Sequence, residues 1–422
     1  MERIYRIILI GLFIRLLMMP FTMHPDLAFL YYFPSLMKTA GVWDIYSYLK
    51  TNYFQSIAQL GWFYYPPLTY YFFGLYTFII SGLSHSFLPW MRAVGMLIDG
   101  GGLIQHYLTL PGTDQIYRDL FLMKIPYLFF DGLVIWLLTK FINDEKKLIA
   151  GLKMWCFSPI IIYSAFMFGQ FDVIPTALVM LSLYLIKLKR VEWAVFILGL
   201  AAALKNFPLL FCLPMILVAE ENNWQRIKLL VIFALPYLVF LLPSLLNSGG
   251  YALQVFLPQV MINKQLGEQN MLSYGLNMLF ILLYFYLIYK SFKSSVSRNP
   301  YLFLVDVYLI VILLYFISSF PSIHYIVWIV PLAILKAVDD KKMFWTFILL
   351  QLTIFIALIA YRPMLFGLFA PVQPLYFPAL PALVEFTKGL FKYSYLQFLA
   401  IKVFILTAII WAGELIWSVI ND

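Results

Sequence analysis

The stretch of sequence that decides the fold runs from residue 169 to residue 208 and reads GQFDVIPTALVMLSLYLIKLKRVEWAVFILGLAAALKNFP. It consists of two apolar runs that are bounded by polar breaks at 169–172 and 205–208. The break between the two runs is basic and contains Lys187, Lys189 and Arg190. Apolar runs that alternate with such breaks are typical of membrane helices, whose basic loops lie on the cytoplasmic side. The breaks at 169–172 and 205–208 are therefore expected on the opposite side of the membrane.

The composition of the whole chain excludes a soluble globular protein. Of its 422 residues, 63% are hydrophobic and 12% are charged, whereas soluble domains have about 25% charged residues. The net charge of +9 comes from Lys and Arg in short clusters between apolar runs, which is the pattern of cytoplasmic loops and not of a nucleic-acid-binding surface. Cys156 and Cys212 lie within apolar runs, so we interpret them as small buried side chains and not as a disulfide or metal site.

Apolar runs recur along the chain, and we predict an all-α, polytopic transmembrane helix bundle of about 12 to 14 helices. The runs begin near Ile4, Pro67, Ile125, Leu152, Val173, Ala194, Phe207, Leu229, Tyr274, Leu302, Tyr325, Phe344 and Leu396. No internal repeat and no separate soluble domain is visible in the sequence. Residues 1–422 are therefore predicted to form one domain.

The breaks between the runs alternate in charge, and the basic ones are predicted to be cytoplasmic. Besides the cluster at 187–190, these are Lys140 with Lys146 and Lys147, Arg226 with Lys228, Lys290 with Lys293, and Lys336 with Lys341 and Lys342. The other breaks hold nearly every residue that could do chemistry, and an even number of crossings must separate Asp26 from Asp172. Either the helix that follows Tyr65 does not cross completely, or residues 87–108 cross as well.

The acidic residue Asp26 follows the first apolar run directly, in His24-Pro25-Asp26. A carboxylate within or at the edge of the hydrocarbon costs about 2.5 to 3.5 kcal/mol on insertion scales, which makes it a candidate functional residue. A purely structural role as a helix N-cap also fits its position. The stretch from Asp26 to Tyr46 is predicted to contain an amphipathic helix along the outer interface, so we expect interfacial helices in the first external loop.

Two tight breaks supply further candidates. Gln170 and Asp172 occupy a short loop, and we expect both at the outer face, exposed to solvent, although Gly and Asp are also ordinary turn residues. Lys205 lies between two short apolar helices. It either snorkels to the membrane surface or directs its charge at a phosphate, because helix ends together with a cation make an anion site.

Four other candidates carry weaker signals. Tyr65 precedes Pro66 and Pro67, which fix the start of a helix. His324 and Arg362 are each either satisfied interfacial residues or polar contacts to a substrate. Lys264 belongs to a polar external loop that could close over a site.

Two acidic residues, Asp131 and Asp306, fall within predicted spans. We expect both to pair inside the bundle, Asp131 with either Lys124 or Arg15.

Taken in order, these motifs resemble the GT-C superfamily of integral membrane glycosyltransferases, in particular the enzymes that use polyprenyl-phosphate or dolichyl-phosphate sugars, such as mannosyltransferases. The family pattern has an Asp after the first helix, a Tyr-Pro-Pro-Leu helix start, an Asn-Pro stretch leading to Gly-Gln-x-Asp, a Lys-x-x-Pro break and a late His or Arg break. The corresponding positions here are Asp26, Tyr65 to Leu68, Ser158-Pro159, Gly169 to Asp172, Lys205 to Pro208 and His324. Two features depart from the pattern. Ser158 stands where the pattern has Asn, and the segment 84–124 is longer than the corresponding segment of the pattern.

The resemblance implies an inverting transfer of a hexose, with mannose favoured, from a polyprenyl-phosphate carrier to a glycan or lipid-linked acceptor on the extracytoplasmic or ER-lumenal face. Asp26 would be the general base. Tyr65, Gln170, Asp172 and His324 would contact the substrates, and Lys205 with Lys264 and Arg362 or His324 would hold the carrier phosphate. No metal would be obligatory, although Asp172 could hold a divalent ion.

The resemblance also implies that residues 1–246 form the catalytic module and that residues 247–422 are variable helices and loops. The partners would be the sugar donor, the acceptor and membrane lipids. The alternative is a polytopic transporter or a flippase for lipid-linked sugars, which also has many helices and intramembrane charges. Against it, the candidate groups cluster on one side of the membrane and no inverted repeat is visible.

Overall fold

The computed structural model describes residues 2–60, 65–96, 104–248, 271–293, 299–318, 322–359, 365–381 and 393–421. All regular elements within these ranges are helices, and the predicted all-α bundle is confirmed. The first half contains α1 Glu2–Phe21, α2 Pro25–Thr39, α3 Ile45–Leu60, α4 Pro67–Leu83, α5 Phe87–Gly95, α6 Ile104–Leu108, α7 Ile116–Phe141, α8 Glu145–Cys156, α9 Pro159–Ile161 with the π-helix Ile162–Phe168, α10 Val173–Lys187 and α11 Val191–Leu204. The second half contains α12 Leu209–Ala219, α13 Asn223–Ser248, α14 Met271–Lys293, α15 Pro300–Ser318, the 3₁₀-helix Ile323–Trp328, α16 Val330–Ala337, α17 Lys341–Ile359 and α18 Tyr393–Asn421.

Within the described ranges, 7 helical segments are long and apolar enough to cross a membrane. They are Glu2–Phe21, Ile116–Phe141, Glu145–Phe168, Asn223–Asn247, Gly275–Lys293, Pro300–Ser318 and Leu399–Ile420. Helices α10, α11 and α12 are equally apolar but shorter. The chain is thus a helical membrane protein, and the number of crossings stays a prediction.

The centre of the bundle is α15, whose apolar side chains are buried from Phe303 to Leu314. Helix α14 differs, since Leu282 and Phe285 on it are more than half exposed. Lipid chains would cover such apolar surface in a membrane, so exposure here marks the periphery of the bundle.

Two ion pairs, one buried and one partly buried, connect helices inside the bundle, as expected. Arg15 Nε lies 2.9 Å from Asp131 Oδ2 and joins α1 to α7. Lys336 Nζ lies 2.7 Å from Asp306 Oδ1 and joins α16 to α15. Of the two partners considered for Asp131, Arg15 is correct, because Lys124 binds backbone carbonyls instead.

The prediction of an amphipathic helix along the outer interface after Asp26 is wrong, because the helix found there, α2, is buried in the bundle. Every residue of α2 from Leu27 to Met37 is buried, because α4 covers one side and α5 packs beside it. Gly74 of α4 shows how close the contact is, since a Cβ there would lie 2.6 Å from Cε of Met37.

The contacts of helix α4 bear on how an even number of membrane crossings can separate Asp26 from Asp172. Near its start, Thr69 Oγ1 donates to the carbonyl of Leu204 at the end of α11. Just past its end, Ser86 Oγ donates to Asp119 Oδ2 in the first turn of α7, at 2.9 Å. The end of α11 lies at the break 205–208, which is predicted to face outward. The start of α7 lies at the opposite end of a helix of membrane-spanning length from the basic cluster at Lys140, so it is predicted on the same side.

The other solution to the parity question is not favoured by the described part of 87–108. Helices α5 and α6 have 9 and 5 residues. A helix rises about 1.5 Å per residue, so neither can span a hydrocarbon layer of about 30 Å. The contacts of α4 therefore favour the interpretation that this helix does not cross.

Candidate active site

Asp26 lies in the first turn of α2, where its carboxylate is held from two sides. Its Oδ1 is 3.2 Å from His24 Nδ1, and its Oδ2 accepts a 3.1 Å hydrogen bond from Gln170 Nε2. The side chain remains 45% exposed. The alternative that Asp26 is the N-cap is wrong, because His24 occupies that position and Pro25 is the first helical residue.

The electrostatics of Asp26 favour the ionised carboxylate. Burial raises its pKa, but the imidazole of His24, by charge and by hydrogen bond, outweighs burial, and His324 and Gln170 act in the same direction. The net effect lowers the pKa of Asp26 below its ordinary value. A carboxylate of low pKa is ready to accept a hydrogen bond or a proton at neutral pH.

Gln170 and Asp172 belong to a turn that the π-helix Ile162–Phe168 prepares. The turn residue Gly169 has φ +94°, a left-handed conformation that glycine adopts without strain. The backbone N–H groups of Gly169 and Gln170 both donate to the carbonyl of Ser164, at 3.2 and 2.9 Å. π-Helical turns of this kind are frequent at functional sites.

The turn folds inward, so the expectation that Gln170 and Asp172 are exposed is wrong. Their exposed fractions are 3% and 0%. The turn packs against α2 so closely that a Cβ on Gly169 would lie 2.9 Å from Cδ2 of Leu27. Aromatic side chains from other breaks cover the remaining sides.

Lys205 and Asp172 form a buried ion pair, with 2.6 Å between Nζ and Oδ1. The same Oδ1 accepts from Trp328 Nε1, whereas Asp172 Oδ2 is buried without a hydrogen-bond partner among the described residues. Lys205 therefore points into the bundle and does not snorkel. Its predicted phosphate role stays a prediction, and any phosphate would have to compete with Asp172.

Four aromatic rings surround the ammonium group of Lys205. Its Nζ lies 4.8 Å from the ring centre of Tyr325, 5.2 Å from that of Phe171, 5.5 Å from that of Trp328 and 5.8 Å from that of Tyr65. These are cation–π distances. The rings fix the lysine and exclude water from the ion pair, which strengthens its electrostatic attraction.

His324 and Tyr65 complete the site. His324 is the second residue of the 3₁₀-helix, and its ring centre lies 5.9 Å from that of Phe168. Its Nδ1 is buried and has no hydrogen-bond partner among the described residues. Burial lowers the pKa of His324 to about 4, so the ring is neutral at pH 7. Tyr65 OH lies 3.5 Å from Gln170 Oε1, and burial raises its pKa well above 10.0.

The structure thus brings Asp26, Tyr65, Gln170, Asp172, Lys205 and His324 into one site. Two further candidates, Lys264 and Arg362, lie outside the described residues. Sequence reasoning gave no role to His24 or to Trp328. The neighbour relationship of His24 to Asp26 was a usable signal, whereas nothing in the sequence distinguished Trp328 from the many other aromatic residues.

The described residues do not fit a resident divalent ion at Asp172. They contain no group of three or more His, Cys, Asp and Glu side chains that could hold a metal. Oδ1 of Asp172 is already bound by Lys205 and Trp328. That no cofactor is obligatory stays a prediction.

Comparison with known proteins shows a similarity to one family of glycosyltransferases over part of the chain. No curated protein matches the chain. The model of glycosyltransferase family 87 matches residues 127–320, a range that includes Gln170, Asp172 and Lys205, and this is a GT-C-like family of membrane glycosyltransferases. The match supports a glycosyltransferase activity, and with it the resemblance of the chain to the GT-C membrane glycosyltransferases is confirmed.

Proposed function

We propose that the protein is an inverting glycosyltransferase that moves a hexose, with mannose as our choice, from a polyprenyl-phosphate carrier to a lipid-linked or other extracytoplasmic acceptor. The observation that carries this proposal is the half-exposed carboxylate of Asp26, held by His24 and Gln170. Beside it lie Asp172 Oδ2 and His324 Nδ1, two buried polar atoms without hydrogen-bond partners among the described residues. A positioned base next to unsatisfied polar groups is what a transfer to a hydroxyl acceptor requires.

Asp26 is the general base in this proposal. Its exposed side lets an acceptor hydroxyl approach, and its low pKa keeps it ionised. The hydrogen bond from Gln170 fixes one carboxylate oxygen, so the other can accept the proton. Positioned base catalysis contributes typically about 100- to 10,000-fold to the rate.

The transfer itself is a single displacement at the anomeric carbon. The acceptor oxygen forms a bond to this carbon while the bond from the carbon to the phosphate oxygen breaks, and configuration inverts. The acceptor proton goes to Asp26, and the leaving polyprenyl phosphate keeps the electron pair. Negative charge therefore develops on the phosphate as the reaction proceeds.

Hydrogen-bond donors near the phosphate stabilise this charge. His324 suits this role because no described residue hydrogen-bonds its Nδ1. With a proton on that nitrogen, a neutral imidazole donates without bringing charge. Lys205 adds the field of its ammonium group, although its direct contact is with Asp172. Lys264 and Arg362 keep their proposed roles as phosphate ligands.

The sugar would be recognised by the buried polar groups. Asp172 Oδ2 has no hydrogen-bond partner in the described part of the chain and can accept from a sugar hydroxyl, and Tyr65 OH can donate to another. A site that hydrogen-bonds a hydroxyl rejects sugars that lack it, because its own polar groups would stay unpaired.

The test is transfer by the purified protein. Polyprenyl-phosphate mannose and polyprenyl-phosphate glucose are supplied separately, with extracted lipids as acceptors, and the product is characterised by mass spectrometry and by the NMR coupling at its anomeric proton. We expect transfer from the mannose donor with inverted configuration. Retained configuration would rule out the single displacement, and solute or lipid movement across liposomes without any transfer would favour the transporter or flippase.

A further inference from the structure

The ends of two helices meet beside the site, and a buried lysine joins them. Lys124 of α7 has no exposed surface. Its Nζ donates to the carbonyls of Met19 at 3.0 Å, Phe166 at 2.9 Å and Met167 at 3.4 Å, and also to that of Thr22. Met19 and Thr22 lie at the end of α1, and Phe166 and Met167 lie at the end of the π-helix.

The ammonium group takes the place of the missing backbone donors. The last carbonyls of a helix have no intrahelical partner and carry partial negative charge, which a cation satisfies. Among the described residues no carboxylate pairs with Lys124. Four carbonyl oxygens from two helix ends therefore form its immediate surroundings.

Neighbouring donors complete the same junction. The backbone N–H of His24 donates to the carbonyl of Phe168 at 3.2 Å, and Tyr127 OH donates to that of Gly169 at 2.9 Å. The ring of His24 stacks on that of Phe168, with 3.8 Å between ring centres. Lys124 and Tyr127, three residues apart on one face of α7, thus act together with the backbone of His24 to bind the four consecutive carbonyls of residues 166–169.

We propose that Lys124 is a positioning residue for the transfer reaction: it locks the end of α1 to the end of the π-helix, and so holds Asp26 against Gln170. Asp26 follows the first helix end within a few residues, and Gln170 follows the second. The 3.1 Å hydrogen bond between them forms only while the two ends keep their relative position. Lys124 itself contacts neither carboxylate nor substrate. The inference rests on the proposed function, since the reaction is the one proposed above.

The experiment compares Lys124→Met with a control that removes buried charge elsewhere on the same helices. The control is the double variant Arg15→Met with Asp131→Asn, because that pair also joins α1 to α7 but makes no hydrogen bond to the carbonyls that Lys124 binds. Arg15 contacts the π-helix through the ring of Phe166, whose centre lies 5.2 Å from the guanidinium carbon. Both variants are assayed under conditions in which each of them is folded. We expect kcat of Lys124→Met to fall about 30- to 100-fold with the donor KM within about 3-fold, since misplacement by an ångström costs on the order of 100-fold. The control keeps kcat within about 3-fold.

The pH profile separates positioning from loss of stability. The groups that influence Asp26 are His24, Gln170 and His324, together with Lys205. Once the two helix ends separate, Gln170 no longer donates to the Asp26 carboxylate and no longer lowers its pKa, so the acid limb of kcat/KM moves to higher pH in Lys124→Met and stays in place in the control. Equal losses of kcat in both variants, in proportion to their lost stability and with unshifted acid limbs, would overturn the proposal.

Two further measurements keep the proposal testable. If Lys124→Met does not fold, Tyr127→Phe is used instead, because it removes only a single hydroxyl from the junction. We expect kcat to fall about 3- to 10-fold. An unchanged kcat together with an unchanged pH profile would count against the junction. Hydrogen exchange of residues 164–172 needs no activity. It should accelerate more in the Lys124 or Tyr127 variant than in the control, so it decides whether Lys124 holds the junction even if wild-type protein transfers no sugar and the proposed function fails.

Discussion

The side-chain amide of Gln170 donates a hydrogen bond of 3.1 Å to Oδ2 of Asp26, across a sequence separation of 144 residues. Because Gln170 is buried and Asp26 is half-exposed, the bond fixes the carboxylate from its inner side and leaves the outer side open. His24 holds the other oxygen. The carboxylate can therefore meet an incoming hydroxyl without reorienting.

Replacement of Asp26 by Asn tests the base directly. Asn keeps the size and can still bond Gln170 through its carbonyl oxygen, but it cannot take a proton. We expect a loss of kcat of about 100-fold or more, with unchanged thermal stability. Asp44→Asn is the matched control, because Asp44 accepts from backbone N–H groups at the start of α3 and Asn serves equally well there. Full activity in Asp26→Asn would end the assignment.

The pH dependence of transfer tests the contact between His24 and Asp26. A base works only when deprotonated, so kcat/KM falls as the pH drops through the pKa of Asp26. His24 lowers that pKa, and His24→Phe, which preserves the stacking on Phe168, removes this effect. The midpoint of the acid limb should then move to higher pH. His85→Gln, at a side chain that is 75% exposed, should leave the midpoint unchanged, and an unmoved midpoint in His24→Phe would contradict the prediction.

The ion pair between Lys205 and Asp172 calls for a double-mutant cycle. Lys205→Met alone leaves a buried carboxylate without its cation, which typically costs about 3 to 5 kcal/mol. The double variant with Asp172→Asn removes both charges and should recover most of the lost thermal stability. If the double variant is no more stable than Lys205→Met, the pair does not behave as buried and coupled.

The same double variant addresses the phosphate role of Lys205 without the complication of instability. A direct hydrogen bond to a charged group contributes about 1.5 to 3 kcal/mol, so the KM for the carrier sugar should rise by more than tenfold if Lys205 binds the phosphate. Asp172→Asn alone is the comparison. A KM equal to that of Asp172→Asn would show that Lys205 serves Asp172 only.

Gly169→Ala tests the turn that carries Gln170. The left-handed φ of +94° costs a residue with a Cβ on the order of 1 to 2 kcal/mol, and the new Cβ would also lie 2.9 Å from Leu27 Cδ2. We expect lower thermal stability and lower kcat. Adding Leu27→Ala removes the collision but not the backbone strain, so it should restore kcat better than stability. Wild-type stability in Gly169→Ala would mean that the turn is not constrained as described.

Much of the site was predictable because its residues stand at helix breaks. Asp26, Gln170, Lys205 and His324 each follow or separate apolar runs, and breaks on one side of a bundle converge in space. The partners of these residues were not predictable. The pairing of Lys205 with Asp172 depends on how α10 and α11 pack, and the sequence contains no signal for that distance.

The burial of Gln170 and Asp172 was missed for a related reason. A short polar loop between two apolar runs is ordinarily solvent-exposed. Here the π-helix aims the turn inward, and the 3₁₀-helix Ile323–Trp328 covers it with Tyr325 and Trp328. Irregular helices have no periodic signature that distinguishes them from a continuous α-helix, and their side-chain directions appear only in three dimensions.

Helix α4 has a consequence for the whole topology. Because both of its ends lie beside helix ends assigned to one side, it drops out of the series of crossings, and the parity of that series changes from odd to even. The start of α1 and the end of α18 are then both predicted to lie on the cytoplasmic side. A fluorescent protein fused beyond either helix is expected to mature inside the cell, whereas alkaline phosphatase fused after α4 is expected to be active outside.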